Sequence, residues 1–309
     1  MPNFSGIWTV TQQMQAKGQS IWPAVPGAPT IGTATSPTPT TASVPFTAPA
    51  NTGYPATITG YTATSSPGGL TGTGTSPITV TGLTTGTTYT FTVTATNATG
   101  TGPASAASNS VTPLPAIGDA FGGGFFAGQI STAANGIADY NLVVGPLSSA
   151  QNASVRWKTS NTSTAGTSSV IDGPTNSSNM NNASHPAAQF CEGLTIGGFS
   201  DWYMPAKNEL EVCYFNLKPT TASNNTSSGT NTNAVPSRGS NYTSGTPAQT
   251  SAAAFIISTG AEAFAVAAYW SSTEASATEA WNQFFASGNQ GYPPKASFYR
   301  VRAIRRVAV

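Results

Sequence analysis

Four runs between residues 41 and 97 place Val, Ile, Tyr or Phe at every second position with Thr or Ser between them: TASVPFTAP, ITGYTATSS, SPITVTGL and TYTFTVTATN. A period of two is the mark of a half-buried β-strand. Each run then has one apolar face and one hydroxyl face, as two packed antiparallel sheets require. Thr suits both demands, since its branched Cβ favours strands and its hydroxyl solvates the outer face without charge. PANTG, SSPGG and GTGTSP supply turns between the runs. The block resembles low-complexity sequence in composition only, because the apolar residues keep their period through all four runs.

Beyond residue 119 the periodicity is mixed. FGGGFFAGQI (121–130) and YNLVVGPL (140–147) read as strands. SHPAAQFCEGLTIGG (184–198) opens on Ser-x-Pro and closes on Gly-Gly, with Ala187, Ala188, Cys191 and Leu194 at helical spacing. MPAKNELEVCYFNLKP (204–219) is a second helix, opened by Pro205, closed by Pro219 and striped by Leu210, Cys213, Tyr214 and Leu217. AYWSSTE, TEAWNQFFASG and SFYRVRAIRRV read as three closing strands, and 159–183 and 220–251 as long polar loops. Ahead of all this, residues 1–26 gather Phe4, Ile7, Trp8, Ile21 and Trp22, with TVTQQMQAKGQS a weak helix at best. So short a segment cannot enclose its own core, so these aromatics need another surface. The expected organisation is therefore an anchoring segment (1–26), a β-sandwich (27–114), a linker (115–118) and an α+β domain (119–309).

Charge sharpens that division. The chain has 11 Lys+Arg and 10 Asp+Glu, only 7% of its residues, and all but Lys17 lie at or beyond Asp119. A net charge of +1 excludes a nucleic-acid binder that works by neutralising many phosphates. No apolar run approaches the roughly 20 residues that span a bilayer, so no membrane insertion is expected. MPNFSGIWTVTQQMQAKGQ lacks the basic and apolar regions of a secretory signal. Synthesis in a cytoplasm without a signal peptide follows, with Cys191 and Cys213 reduced by default. Contact of the two thiols across the helix pair is compatible with the pattern, but a disulfide is not required.

Two resemblances bear on the fold. LTTGTTYTFTVTATNATGTGPASAASNSVTP (83–113) resembles the end of a fibronectin type III domain, in which a Tyr six residues after a Leu closes the tyrosine corner; Leu83 and Tyr89 keep that spacing. GYTATSSPGG (60–69) is similar to that family's third strand and turn, while Phe46 stands where a core Trp is usual. No Arg-Gly-Asp triplet is present, so integrin-type function is not implied. GGFSDWYMPAKNEL, YWSSTE, AWNQFFASG and YRVRAIRRV resemble, in order, a domain of unknown function shared by bacterial collagen-like adhesins and phage tail proteins. NLKPTT and IDGPTN extend the likeness to the phage members. The resemblance implies a C-type-lectin-like fold, with a receptor surface on the closing strands as in phage retroelement-diversified proteins.

Catalytic chemistry finds little to stand on. His185 is the one His, precedes Pro186 at a helix start and has no nucleophile motif around it. Cys191, six residues on, fits the apolar stripe better than a dyad. Glu209 and Glu211 are two apart on a helix and diverge, and Glu274 with Glu279 is the other carboxylate pair to consider. Glu209 is expected to be buried against Arg302, Arg305 or Arg306. The four Arg of YRVRAIRR otherwise suggest an anion site, but pairing with the domain's own acids is favoured. Calcium-binding strings of lectins are missing, Trp281-Asn282 being followed by Gln283 rather than Asp. No enzyme activity, metal or cofactor is therefore expected.

What remains is a display surface over 275–298, with Asn282, Gln283, Asn289, Gln290, Tyr292, Lys295 and Phe298 as candidate ligand contacts. Flat rings beside amides are the chemistry of an adaptable binding surface. The function these expectations favour is a non-enzymatic phage virion protein, a tail fibre or tail-tip adhesin that recognises a host-surface glycan or protein. Phe4, Ile7, Trp8 and Trp22 would attach it to other virion proteins. A structural decoration or baseplate protein is the alternative. A homotrimer is allowed, though no heptads enforce one.

Overall fold

The computed structural model describes residues 9–18 and 22–309. The chain forms two compact units, Met1–Pro115 and Ala116–Val309. Phe4, Ile7 and Trp8 lie outside the described residues. Val10–Gly18 is a short helix with no acidic residue in its first turn. Trp22 is 37% exposed.

The first unit is mostly β. Thr35–Thr38, Thr41–Val44 and Ile78–Thr81 form one sheet, and Thr71–Thr73, Ile58–Ser66, Thr90–Asn97 and Gly100–Thr101 form another. Thr90–Asn97 buries every second residue along its whole length, as the alternation of Thr with Phe91, Val93 and Ala95 requires. Phe91 and Val93 meet Ala42, Val44, Ala63, Ile78 and Val80 in the core, and Ala95 is buried as well. The corner is closed by Tyr89, whose hydroxyl oxygen accepts the Thr84 N–H at 3.0 Å, with Leu83 buried alongside. Phe46 departs from expectation. It is half-buried at the core margin, 4.7 Å from the Tyr61 ring, rather than inside as a replacement for the usual Trp. The unit also begins before residue 27: Ala24 pairs with Tyr54, and buried Asn97 donates from Nδ2 to the Ala24 carbonyl at 2.8 Å.

The second unit is α+β with two five-stranded sheets. In one, Ala120–Phe121, Gly124–Ile130, Tyr140–Val144 and Ile304–Ala308 run in that order, with Ala234–Val235 also paired to Gly124–Ile130. The other runs Gln151–Arg156, Phe298–Arg302, Ala268–Glu274, Ala280–Phe284, Gln290–Gly291. SFYRVRAIRRV is thus two strands rather than one. At Ala303 the N–H donates to Ala150 O and the carbonyl accepts from Gly145 N–H, which carries the chain from one sheet to the other. Helix Lys207–Leu217 buries its expected stripe, Leu210, Cys213, Tyr214 and Leu217. Helix Pro186–Glu192 buries Ala187, Ala188 and Cys191, while Leu194, the fourth position expected there, lies past the helix end and is half-buried. The thiols are free and lie in different core clusters, Cys191 with Trp157, Trp202 and Trp270, and Cys213 with Phe264, Phe285 and Tyr269. They do not meet across the helix pair.

One further expectation is corrected. Ala116–Gly118 is not a free linker, since Gly118 N–H donates to Phe126 O and Ile117 packs on the core. The long polar segments 159–183 and 220–251 are mostly loops, as their composition implies, but they enter the core. The first contains the helix Gly173–Ser178 with Asn176 buried, and the second buries Asn224, Asn231 and Asn233. Their amides satisfy buried backbone groups: Asn231 Nδ2 donates to Asn208 O at 2.8 Å, and Asn233 Nδ2 to Ser131 O at 2.8 Å. Polar residues enter a core on these terms, with partners in place.

Candidate functional site

At the end of strand Ala268–Glu274 the chain folds against the loop 162–168 around two buried lysines. Lys295 Nζ donates to Thr162 O (3.0 Å), Glu274 Oε1 (2.6 Å) and Ala277 O (2.8 Å). Lys158 Nζ donates to Thr162 O (3.2 Å), Ser163 O (2.7 Å) and Thr164 Oγ1 (2.9 Å). Every proton of both ammonium groups thus has an oxygen partner. Burial pushes the Glu274 carboxyl up, but Lys295 and the donors of Thr164, Thr167 and Ser163 outweigh it and hold the group below its usual range. Burial also lowers the Lys295 ammonium, opposed by Glu274. Over this base lies a depression of about 360 Å³, lined by Ser163, Thr164, Thr167, Ser168, Glu274 and Ser276 among others. Hydroxyls and backbone dominate it, but Ser163, Thr167 and Ser276 already donate to Glu274 and Glu279 and Thr164 to His185, so it offers a ligand chiefly oxygen acceptors.

His185 belongs to the same base. Its Nδ1 lies 2.9 Å from Asn182 Oδ1 and its Nε2 2.9 Å from Thr164 Oγ1. Asn182 Oδ1 is an acceptor, so Nδ1 carries the proton and Nε2 accepts from Thr164. Burial, then Lys158 and Lys295, lower its pKa to about 4. The imidazole is a neutral connector within the loop support.

The seven proposed contacts separate into two groups. Lys295 is fully buried, Gln283 is 1% exposed and Asn282 9% exposed, so these three are corrected from display to support. Gln283 Nε2 donates to Gly288 O at 2.7 Å, and Asn282 Oδ1 accepts Gly291 N–H at 3.2 Å. Composition alone does not show that these groups turn inward, Asn282 and Gln283 to backbone of the hairpin that Ala280–Phe284 forms with Gln290–Gly291, and Lys295 to the carbonyl of Thr162. Asn289, Tyr292 and Phe298 are exposed and Gln290 is half-buried. Phe298 lies apart from Tyr292 in its contacts, with the Arg156 guanidinium 4.6 Å from its ring centroid.

Tyr292 has a partner that the pattern did not single out. Its ring meets Trp281 edge-to-face at 5.2 Å, and Lys207 Nζ lies 4.6 Å from the Trp281 centroid. Lys207 is tied to the depression's border through its N–H, which donates to Thr273 Oγ1 at 3.0 Å, while Thr273 Oγ1 donates to Ser169 O at 2.8 Å. An exposed ring, an indole and an ammonium thus share one patch. Trp281 was legible only as a neighbour of Asn282, and Lys207 only as a helix-start residue.

Three of the four arginines of YRVRAIRR form ion pairs with the domain's acids. Arg302 pairs with Glu262 (2.7 Å), Arg305 with Asp201 (2.8 Å) and Arg306 with Glu209 (2.7 Å). Glu209 also accepts the Tyr203 hydroxyl at 2.6 Å and the Ala206 N–H at 2.7 Å. Glu211 turns the other way, to Arg238, Tyr242 and Asn231. The two carboxylates diverge as expected, each closed in by donors. Burial raises both thiol pKa values, leaving Cys191 and Cys213 protonated.

The family model of the Lcl C-terminal domain matches residues 149–305, which contain the lysine base, the depression and the aromatic patch. The chain belongs to the Lcl C-terminal domain family. A fibronectin type III model matches residues 27–111, the unit closed by Tyr89. The Lcl C-terminal domain therefore follows a fibronectin type III sandwich in one chain. Among solved structures, domains A168-A170 from titin share 23% identity over 29% of this chain and 32% of that one, with a TM-score of 0.25. Titin kinase with its flanking domains gives 26% identity over 28% and 17% of the two chains, with a TM-score of 0.24. The twitchin kinase region from C. elegans gives 20% over 29% and 17%, with a TM-score of 0.26. No curated protein matches it.

Proposed function

We propose that this is a non-enzymatic phage virion protein, a tail fibre or tail-tip adhesin, whose Lcl C-terminal domain recognises a host-surface glycan or protein. The observation that carries the proposal is the Trp281–Tyr292 pair with Lys207 beside it, bonded through Thr273 to the border of the hydroxyl-lined depression. An exposed ring offers a flat apolar platform, while hydroxyls and backbone groups fix orientation. Membership in the Lcl C-terminal domain family supports an adhesin-like, carbohydrate-binding role. The phage assignment draws on the likeness of NLKPTT and IDGPTN to phage tail members. Binding is favoured over catalysis because His185, both cysteines and the Glu209 and Glu211 carboxylates all have structural partners or are buried as apolar groups.

The decisive experiment compares the full chain with Trp281→Ala and Tyr292→Ala on envelope glycans and on intact cells of candidate hosts. Binding that falls at least tenfold in both variants, with melting unchanged, supports the site. Binding only to other virion proteins would favour the decoration role instead.

A further inference from the structure

The four-stranded sheet of the fibronectin type III unit carries an ordered hydroxyl lattice. Register places Thr62 beside Thr73 on one side and Thr94 on the other, and Thr64 beside Thr71 and Thr92. Two rows of three threonines therefore cross three strands, about 4.8 Å apart within a row and roughly 6.7 Å between rows. None of these six side chains hydrogen-bonds to another described residue. Threonines elsewhere in the unit do pair, such as Thr96 with Thr101 at 2.9 Å and Thr88 with Thr112 at 2.9 Å.

One end of the lattice opens into a groove of about 570 Å³, lined by Gly60, Tyr61, Thr62, Thr73, Gly74 and Thr96 among others. Gly60 sits inside a strand, where glycine weakens the ladder. Packing does not ask for it: its φ is outside the left-handed region, and a Cβ there would meet nothing within 4 Å. A larger residue would project into the open space of the groove. Strand-interior glycine of this kind often marks a bulge or the close approach of a ligand; the register does shift between Ile58 and Gly60.

The chemistry of the face selects its occupant. Between Gly18 and Gly118 there is no Asp, Glu, Lys, Arg or His, so an acidic polymer or a basic peptide finds no counter-charge. A protein partner needs apolar or Arg anchors, and among the described residues no large exposed apolar side chain lies between Val25 and Ile137. Thr hydroxyls donate and accept alike, as sugar hydroxyls do. We propose that this threonine lattice and its groove form a second binding site, for a neutral polysaccharide. It stands independently of the C-terminal face.

The test is affinity electrophoresis of the full chain through gels containing dextran, galactomannan or mannan, at low and high salt. The expected result is retardation by a neutral polymer that salt does not weaken, since no charge is involved. Replacing one row by the isosteric residue (Thr62→Val, Thr73→Val and Thr94→Val together) should weaken that retention about tenfold by removing its hydrogen bonds. The matching Thr→Ser row should keep it, Gly60→Val should weaken it, and Trp281→Ala with Tyr292→Ala should leave it intact. Melting curves establish that each variant is folded. Absence of retardation by every neutral polymer, retention unchanged in the folded Val row, or loss in the Trp281/Tyr292 variant would each overturn the proposal.

Discussion

The Lys295 ammonium lies 2.6 Å from Glu274 Oε1, and the pair holds the loop 162–167 from beneath. Lys295 is fully buried and the Glu274 side chain is 10% exposed, so neither charge has ready access to water. Removing one partner leaves the other uncompensated, which typically costs about 3–5 kcal/mol. Lys295→Met is therefore expected to destabilise the second unit by about that amount in urea unfolding. Lys295→Met with Glu274→Gln should recover part of the loss, and the double-mutant cycle should show coupling above about 1 kcal/mol.

The same geometry predicts indifference to chelators. Thr162 O, Ala277 O and Glu274 Oε1 are the oxygens a divalent cation would choose, and all three already accept from Lys295. Thermal melting of the second unit should be unchanged by excess EDTA. A drop of more than a degree or two would mean that a metal supports this loop after all.

His185 gives the base a pH dependence. Burial, then the neighbouring Lys158 and Lys295, lower its pKa to about 4, well below the ordinary imidazole range. The unfolded chain therefore binds a proton before the folded chain does. Stability contributed by the neutral imidazole is complete above about pH 6.5 and is lost progressively as pH falls toward about 4. Glu274, held below its usual range, adds a loss at lower pH still. Melting temperature measured from pH 7 to 4 should decline in the wild type, and His185→Gln should flatten the upper part of that decline.

Much of the fold was legible because burial follows strand and helix period. Thr90–Asn97 alternates in burial throughout and Ile58–Ser66 from Thr62 to Ser65, and Leu210, Cys213, Tyr214 and Leu217 are buried as their helical spacing implies. Three of the four arginines at the end, Arg302, Arg305 and Arg306, were also legible as ion pairs, because buried guanidinium groups need carboxylates. What stayed hidden depends on contacts distant in sequence. Asn231 and Asn233 carry no periodic signal, yet they satisfy backbone groups on helix Lys207–Leu217 and at Ser131. Lys295 reads as a surface residue until Thr162, 133 positions away, supplies its acceptor. Trp281 and Tyr292 likewise become one patch only when the two closing segments meet.

That separation of support from surface can be measured residue by residue. Gln283 ties its strand to the tight turn at Gly288, which has φ +70° and leaves no room for a side chain against Tyr214. Gln283→Ala removes that bond in a buried setting and orphans the Gly288 carbonyl, so a loss of about 1–3 kcal/mol is expected. Tyr292 is 55% exposed and meets Trp281 by a ring edge, so Tyr292→Ala should change stability by no more than about 1 kcal/mol. Ligand binding should respond differently. Tyr292→Ala should lose it at full stability, whereas Gln283→Ala should lose it only as far as the hairpin 284–291 loosens. Hydrogen exchange across 284–291, compared with binding in the same two variants, separates these outcomes. Equal protection in both variants with binding lost only in Gln283→Ala would place the contact surface on the covered side of the strand.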